Sequence, residues 1–176
     1  MFSWLKKGLK YIGLFLGFLP LVGCGQETVV DLEKFDHVNS YILEMLPLID
    51  ETKFDFDIWS QDLTSAEKRE WLNMNAERIR KTNQLFLTPD FPAYEEIESW
   101  TVPVTDGENN EWTIHGEELA AALEQLAPAG EQIVLLIGQI VQTDDQTVLA
   151  GKKEELGSAL DKALAAAELL RNIFRR

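Results

Sequence analysis

Ile133-Val134-Leu135-Leu136-Ile137-Gly138-Gln139-Ile140-Val141 decides the fold. Only Gly138 and Gln139 interrupt a run of large aliphatic side chains. Wound as a helix, the segment is apolar around most of its circumference, and such a helix belongs in the middle of a bundle. It is too short to cross a bilayer, which takes about 20 apolar residues. The periodicity predicts a helix over Glu131–Thr143 with other helices packed around it.

Working outward, Glu117–Ala127 is Ala-rich and places Leu119, Leu123 and Leu126 on one face. Pro128-Ala129-Gly130 is expected to separate it from the apolar run. Downstream, Asp144 or Asp145 is placed to cap a last helix. Val148 or Leu149, Leu156, Leu160, Leu164, Ala167, Leu170 and Phe174 form that helix's stripe. Its alanines, Ala163 and Ala165 to Ala167, permit a close helix approach. Arg171, Arg175 and Arg176 sit at the end that the helix dipole favours for cations.

The first half reads as two further helices. Thr28–Ile49 carries Val30 or Leu32, Phe35, Val38, Ile42, Met45 and Ile49 at spacings of three and four. Pro47 is expected to kink or end it. Thr52–Leu63 alternates acidic and aromatic residues, and aspartate is a poor strand former, so it reads as a loop. Phe54, Phe56 and Trp59 would plug the end of the bundle from there. Thr64-Ser65-Ala66-Glu67 fits a capping box that opens a helix running to about Leu87. Its stripe is Trp71, Leu72, Asn75, Ile79, Leu85 and Phe86. Thr88-Pro89-Asp90-Phe91-Pro92 ends it, and a helical turn at Ala93–Ser99 follows.

Trp100–Val104 and Glu111–His115 favour strands and flank Thr105–Asn110, which predicts a small hairpin. Pro103 confines its strand to an edge. The expected fold is all-α: an antiparallel bundle of four main helices, with a small β-hairpin inserted around residues 100–115. Residues 28–176 would form one domain.

The amino terminus is of a different kind. Lys6, Lys7 and Lys10 form a basic head, and Tyr11–Leu21 is an apolar run too short for a span. These are the parts of a secretory signal. Leu21-Val22-Gly23-Cys24, which ends it, resembles the lipobox of bacterial lipoproteins. That resemblance covers about 25 residues, concerns processing alone, and is silent on the folded domain. It implies that residues 1–23 are removed and that Cys24, the only cysteine in the chain, carries lipid. Residues 24–27 would be a short tether holding the domain close to the membrane. The expected location is the cell envelope, facing the periplasm or the exterior. Gly25, where an Asp would signal inner-membrane retention, implies the outer membrane in a Gram-negative host.

Charge narrows the partners. Removing residues 1–23 takes away three of 16 basic residues and none of 30 acidic ones, leaving −17. Such a chain repels nucleic acid and anionic lipid surfaces, so the expected attachment to the membrane is through the lipid.

Chemistry has few residues to draw on. The histidines are His37 and His115, and neither has a Glu three residues before it, as a di-metal bundle would need. No nucleophile elbow, zinc-helix motif or phosphate loop occurs. Asp106, Glu108, Asn110 and Glu117 stand at positions 1, 3, 5 and 12 of a calcium-loop spacing, but Glu111 replaces the glycine needed at position 6. An acidic hairpin turn is the expectation, with no metal and no cofactor. The aromatic residues outside the expected helices remain. Phe54, Phe56, Trp59, Trp100 and Trp112 are the candidate partner-binding set, since aromatic side chains anchor protein interfaces. The expected function is protein binding or scaffolding by an anchored envelope lipoprotein. The alternative is a small-ligand binder or enzyme with a pocket between bundle and hairpin.

Overall fold

The computed structural model describes residues 30–105 and 110–174. Five helices and one hairpin follow in the order α1 (Leu32–Trp59), α2 (Ala66–Phe86), α3 (Tyr94–Glu98), β1 (Thr101–Thr105), β2 (Glu111–His115), α4 (Gly116–Gln142) and α5 (Gln146–Phe174). The fold is an all-α bundle with a small antiparallel hairpin.

The four long helices close into a ring. α1 packs on α2 and α5, and α4 packs on α2 and α5. Cross-helix pairs fix the directions. Glu51 meets Arg78 and Asp55 meets Asn75 between α1 and α2; Arg69 reaches the Val141 carbonyl and Asn83 the Ala127 carbonyl between α2 and α4. Each pair of ring neighbours is antiparallel. α4 supplies the largest share of the core, burying Leu119, Leu123, Leu126, Ile133, Leu136, Ile137 and Ile140.

Several boundaries differ from the sequence reading. α1 starts at Leu32, capped by Asp31, whose carboxylate accepts from the backbone N–H groups of Glu33 and Lys34. It runs through Pro47 and through the segment expected to be a loop. The reason lies in Leu48, Ile49, Thr52 and Phe56, which are buried at helical spacings. Thr52 donates its hydroxyl to the Leu48 carbonyl, so its burial leaves no polar atom unmet. The capping box at Thr64 does not form. Thr64 donates to Asp62 instead, and Ser65 takes the N-cap position without a side-chain bond. Asp145 does cap α5, accepting from Thr147 and Val148.

Pro128 does not divide the apolar region either: α4 passes straight through it. Proline removes one backbone donor in mid-helix, at a cost of about 3 kcal/mol. The carbonyl left without its helical donor is that of Glu124, and the continuous buried face on both sides of Pro128 offsets the cost. The Ala127 carbonyl accepts from Asn83 Nδ2 at 3.5 Å, and Asn83 Oδ1 accepts from the Tyr41 hydroxyl at 3.1 Å. Gly130 makes room for the contact, since a Cβ there would stand 3.0 Å from Asn83 Nδ2. Three helices are thereby joined by one buried polar chain.

The hairpin pairs Val102 with Ile114 and Val104 with Trp112. Val102, Val104 and Ile114 are buried, which is how the hairpin leans on the helices. Gly116 is its hinge. The Gly116 N–H donates to the Trp100 carbonyl at 2.9 Å. A Cβ there would overlap the Ile97 carbonyl oxygen and stand 2.8 Å from the Trp100 nitrogen. Only glycine lets α3, the hairpin and α4 meet at this point. Lys34 adds an ion pair to Glu96 at 2.7 Å between α1 and α3; exposed as it is, it adds little stability.

Three outcomes follow from this packing. Leu136→Asp places an unpaired charge in the core and should abolish the cooperative unfolding transition in circular dichroism, as the penalty approaches a total stability of about 5–15 kcal/mol. Gly116→Ala should lower urea stability by about 2 kcal/mol or more, because the clash is with backbone that cannot move aside. The third concerns pH. Burial raises the Tyr41 hydroxyl well above its ordinary range, and burial with the Glu124 and Glu131 carboxylates pushes Tyr94 up to about 12. The folded chain holds these protons more tightly than the unfolded one. Stability should therefore be full below the ordinary tyrosine value of about 10 and fall above it. Tyr41→Phe should flatten that alkaline loss in urea titrations, while costing about 1 kcal/mol at neutral pH for the lost hydrogen bond.

Candidate functional site

The outward seam between α1 and α2 collects apolar side chains that the core does not use. With α1 helical through Trp59, Phe54 and Ile58 stand one turn apart on its outer face. On α2, Trp71 and Met74 stand three residues apart and face the same way. The Trp59 and Trp71 rings lie 6.3 Å apart across the seam. Exposure is 65% for Phe54, 54% for Ile58, 45% for Trp71 and 48% for Met74. Further along, where the Tyr41 and Phe86 rings meet at 5.3 Å, Leu43 and Leu85 also stand partly in solvent.

Polar groups cross the seam between these apolar ends. Glu51 Oε2 accepts from Arg78 Nη1 at 2.7 Å. Asp55 Oδ2 accepts from Asn75 Nδ2 at 2.9 Å, one turn from the tryptophan pair. Burial raises the Asp55 carboxyl above its usual range, the Asn75 hydrogen bond opposes the rise, and Glu51 adds to it. Among the described residues the seam brings together no nucleophile and base.

The structure distributes the sequence candidates unevenly. Phe54 and Trp59 belong to the seam, on a helix rather than the expected loop. Phe56 is 6% exposed and packs against Gly157 of α5. Trp100 is 3% exposed, its ring 6.0 Å from that of Phe35. Both are core residues. Trp112 is half-buried on β2, and its indole N–H is buried without a partner among the described residues. Cys24 and the lipobox lie outside the described residues, as do Asp106 and Glu108. The seam residues that the sequence reading missed are Ile58, Trp71 and Met74. Trp71 and Leu85 were expected in the core stripe, yet the buried face of α2 is Leu72, Asn75, Ala76, Ile79, Thr82 and Asn83. The signal lay in Glu67, Glu70, Trp71, Met74 and Arg78, which share the outer face at helical spacing.

A groove of about 480 Å³ runs between α2 and α4, away from the hairpin where a ligand pocket was considered. Its rim leucines, Leu87 and Leu135, stand largely in solvent, and Arg80 on its wall is already engaged by Glu77 at 2.6 Å. Neither His37 nor His115 makes a side-chain hydrogen bond among the described residues. No group of three or more metal-ligating side chains, and no helix long and apolar enough to cross a membrane, occurs among those residues. No protein-family model, curated protein or solved structure matches the chain.

Proposed function

We propose that the chain is a lipid-anchored protein of the cell envelope whose helical domain binds another protein through the α1–α2 seam. The observation that carries the binding half is the exposure of Phe54, Ile58, Trp71 and Met74 side by side. Tryptophan and methionine are depleted at free surfaces and enriched where proteins meet, and adjoining exposed apolar groups mark such sites. The Trp59–Trp71 ring pair gives the surface a rigid centre, which lowers the entropy lost on docking.

The anchoring half rests on the sequence from the basic head to Cys24. Two or three acyl chains hold a protein durably where one does not. The membrane is then reached through the lipid on Cys24, and the partner is a protein of the envelope. The domain would face the periplasm or the exterior, at the outer membrane in a Gram-negative host. Scaffolding of a complex suits a folded domain whose residues point to no reaction.

Each half has its own test. Cys24→Ser should abolish palmitate incorporation in cells; retained label would remove the anchor. Trp71→Ala combined with Phe54→Ala should keep the helical spectrum and cost no more than about 1–2 kcal/mol in urea. The same pair should lose the native complex trapped by crosslinking in cells. An unchanged crosslinked complex would remove the seam as the binding surface.

A further inference from the structure

The dimensions and charges of the seam say what fits it. From Leu43 to Ile58 along α1 is about 22 Å at 1.5 Å per residue. Ile58 on α1 and Leu85, Met74 and Trp71 on α2 are exposed along this length, and Leu43 and Phe54 are exposed on the outer face of α1 beside it. Two antiparallel helices leave a shallow groove between them, and a third helix of about 15 residues fills such a groove by ridge-into-groove packing.

The acids and bases along it are unequal. Glu44, Asp55, Glu67 and Glu70 form no ion pair among the described residues, while Glu51 holds Arg78, Asp50 holds Arg171 and Asp57 holds Lys53. Lys81 is a further cation on the outer face of α2. Asp55 is the least ordinary of these. It is half-buried between the two helices, and its bond goes to the neutral Asn75 amide rather than to a cation.

We propose that the seam receives one amphipathic α-helix of a partner protein, cationic beside its apolar stripe, with an arginine or lysine of that helix meeting Asp55. This rests on the seam being the docking surface argued above. An arriving guanidinium would pair with the Asp55 carboxylate and lie one helical turn from the Trp59 and Trp71 rings, where a planar cation also finds aromatic faces. The Glu51–Arg78 pair in the middle of the seam would be bridged, with the partner's apolar residues on either side of it. An anionic helix would meet Glu44, Glu67 and Glu70 instead and be repelled.

The test uses the full-length chain and two labelled synthetic helices of about 18 residues. One is built of Leu, Ala and Arg with leucines at spacings of three and four; its twin has Glu in place of Arg. Binding is read by fluorescence anisotropy. The arginine helix should bind at least about tenfold more tightly than its twin. Trp71→Ala should weaken it about tenfold. Asp55→Asn, which keeps the shape and an acceptor for Asn75, should weaken the arginine helix about fivefold without weakening the glutamate twin. Glu154→Gln, an exposed charge on α5, should change neither. If the arginine helix fails to bind, if the twins bind alike, or if Asp55→Asn matches Glu154→Gln, the cationic-helix assignment is overturned. A loss on Trp71→Ala in those circumstances leaves the docking surface standing. If Trp71→Ala and Phe54→Ala change nothing for either helix or for the crosslinked complex, the surface falls, and the assignment with it.

Discussion

Burial of α4 is the constraint from which the rest of the architecture follows. A helix carrying Leu119, Leu123, Leu126, Ile133, Leu136, Ile137 and Ile140 inward must be covered along its whole length. α2 and α5 flank it, while α3 and the hairpin cover its first turns. The demand is strong enough to carry the helix through Pro128. Beside it the Ala127 carbonyl accepts from the Asn83 amide, and Asn83 is in turn held by Tyr41. Apolar burial sets the plan, and a few buried polar atoms set the register. The ion pairs are mostly at the surface, where each contributes little.

The architecture was legible because helical periodicity and the uninterrupted apolar run are strong signals. Four long helices, the short turn after Pro92, the hairpin and the Asp145 cap all follow from residue pattern and local chemistry. Most of the errors share one physical origin: local preferences were overridden by packing. Pro47 and Pro128 each disfavour a helix by a few kcal/mol, but the flanking core residues on both sides of each proline share one continuous face. The alternation at 54–59 mimics a strand over six residues. Leu48, Thr52 and Phe56 reveal the longer period only when the window starts before it. The Thr64 box failed because α2 begins one residue later, which puts Ser65 and not Thr64 at the N-cap.

The candidate site was less legible for the same reason. Treating 52–63 as a loop removed the outer face of α1, so Phe54 and Ile58 could not be seen as neighbours. Phe56 and Trp100 looked like loop aromatics and are core residues, since composition does not say which face of an element a ring occupies. Trp71 looked like core and is half exposed, because Leu72 beside it takes the buried position. Asp55 owes its environment to Asn75, 20 residues away, and no local pattern reports such a pairing.

α1 also acts as a strut. A helix of 28 residues is about 42 Å long. Its first turn lies beside α3, through Lys34 and Glu96, and its last turn carries Ile58 and Trp59 toward the opposite end of the bundle. Under the anchor proposed on Cys24, the start of α1 at Leu32, with the hairpin beside it, would be the point nearest the membrane. The tryptophan pair lies at the far end, some 40 Å along the helix axis from that point. Standing upright under that proposed anchor, the domain would present those rings to the aqueous space.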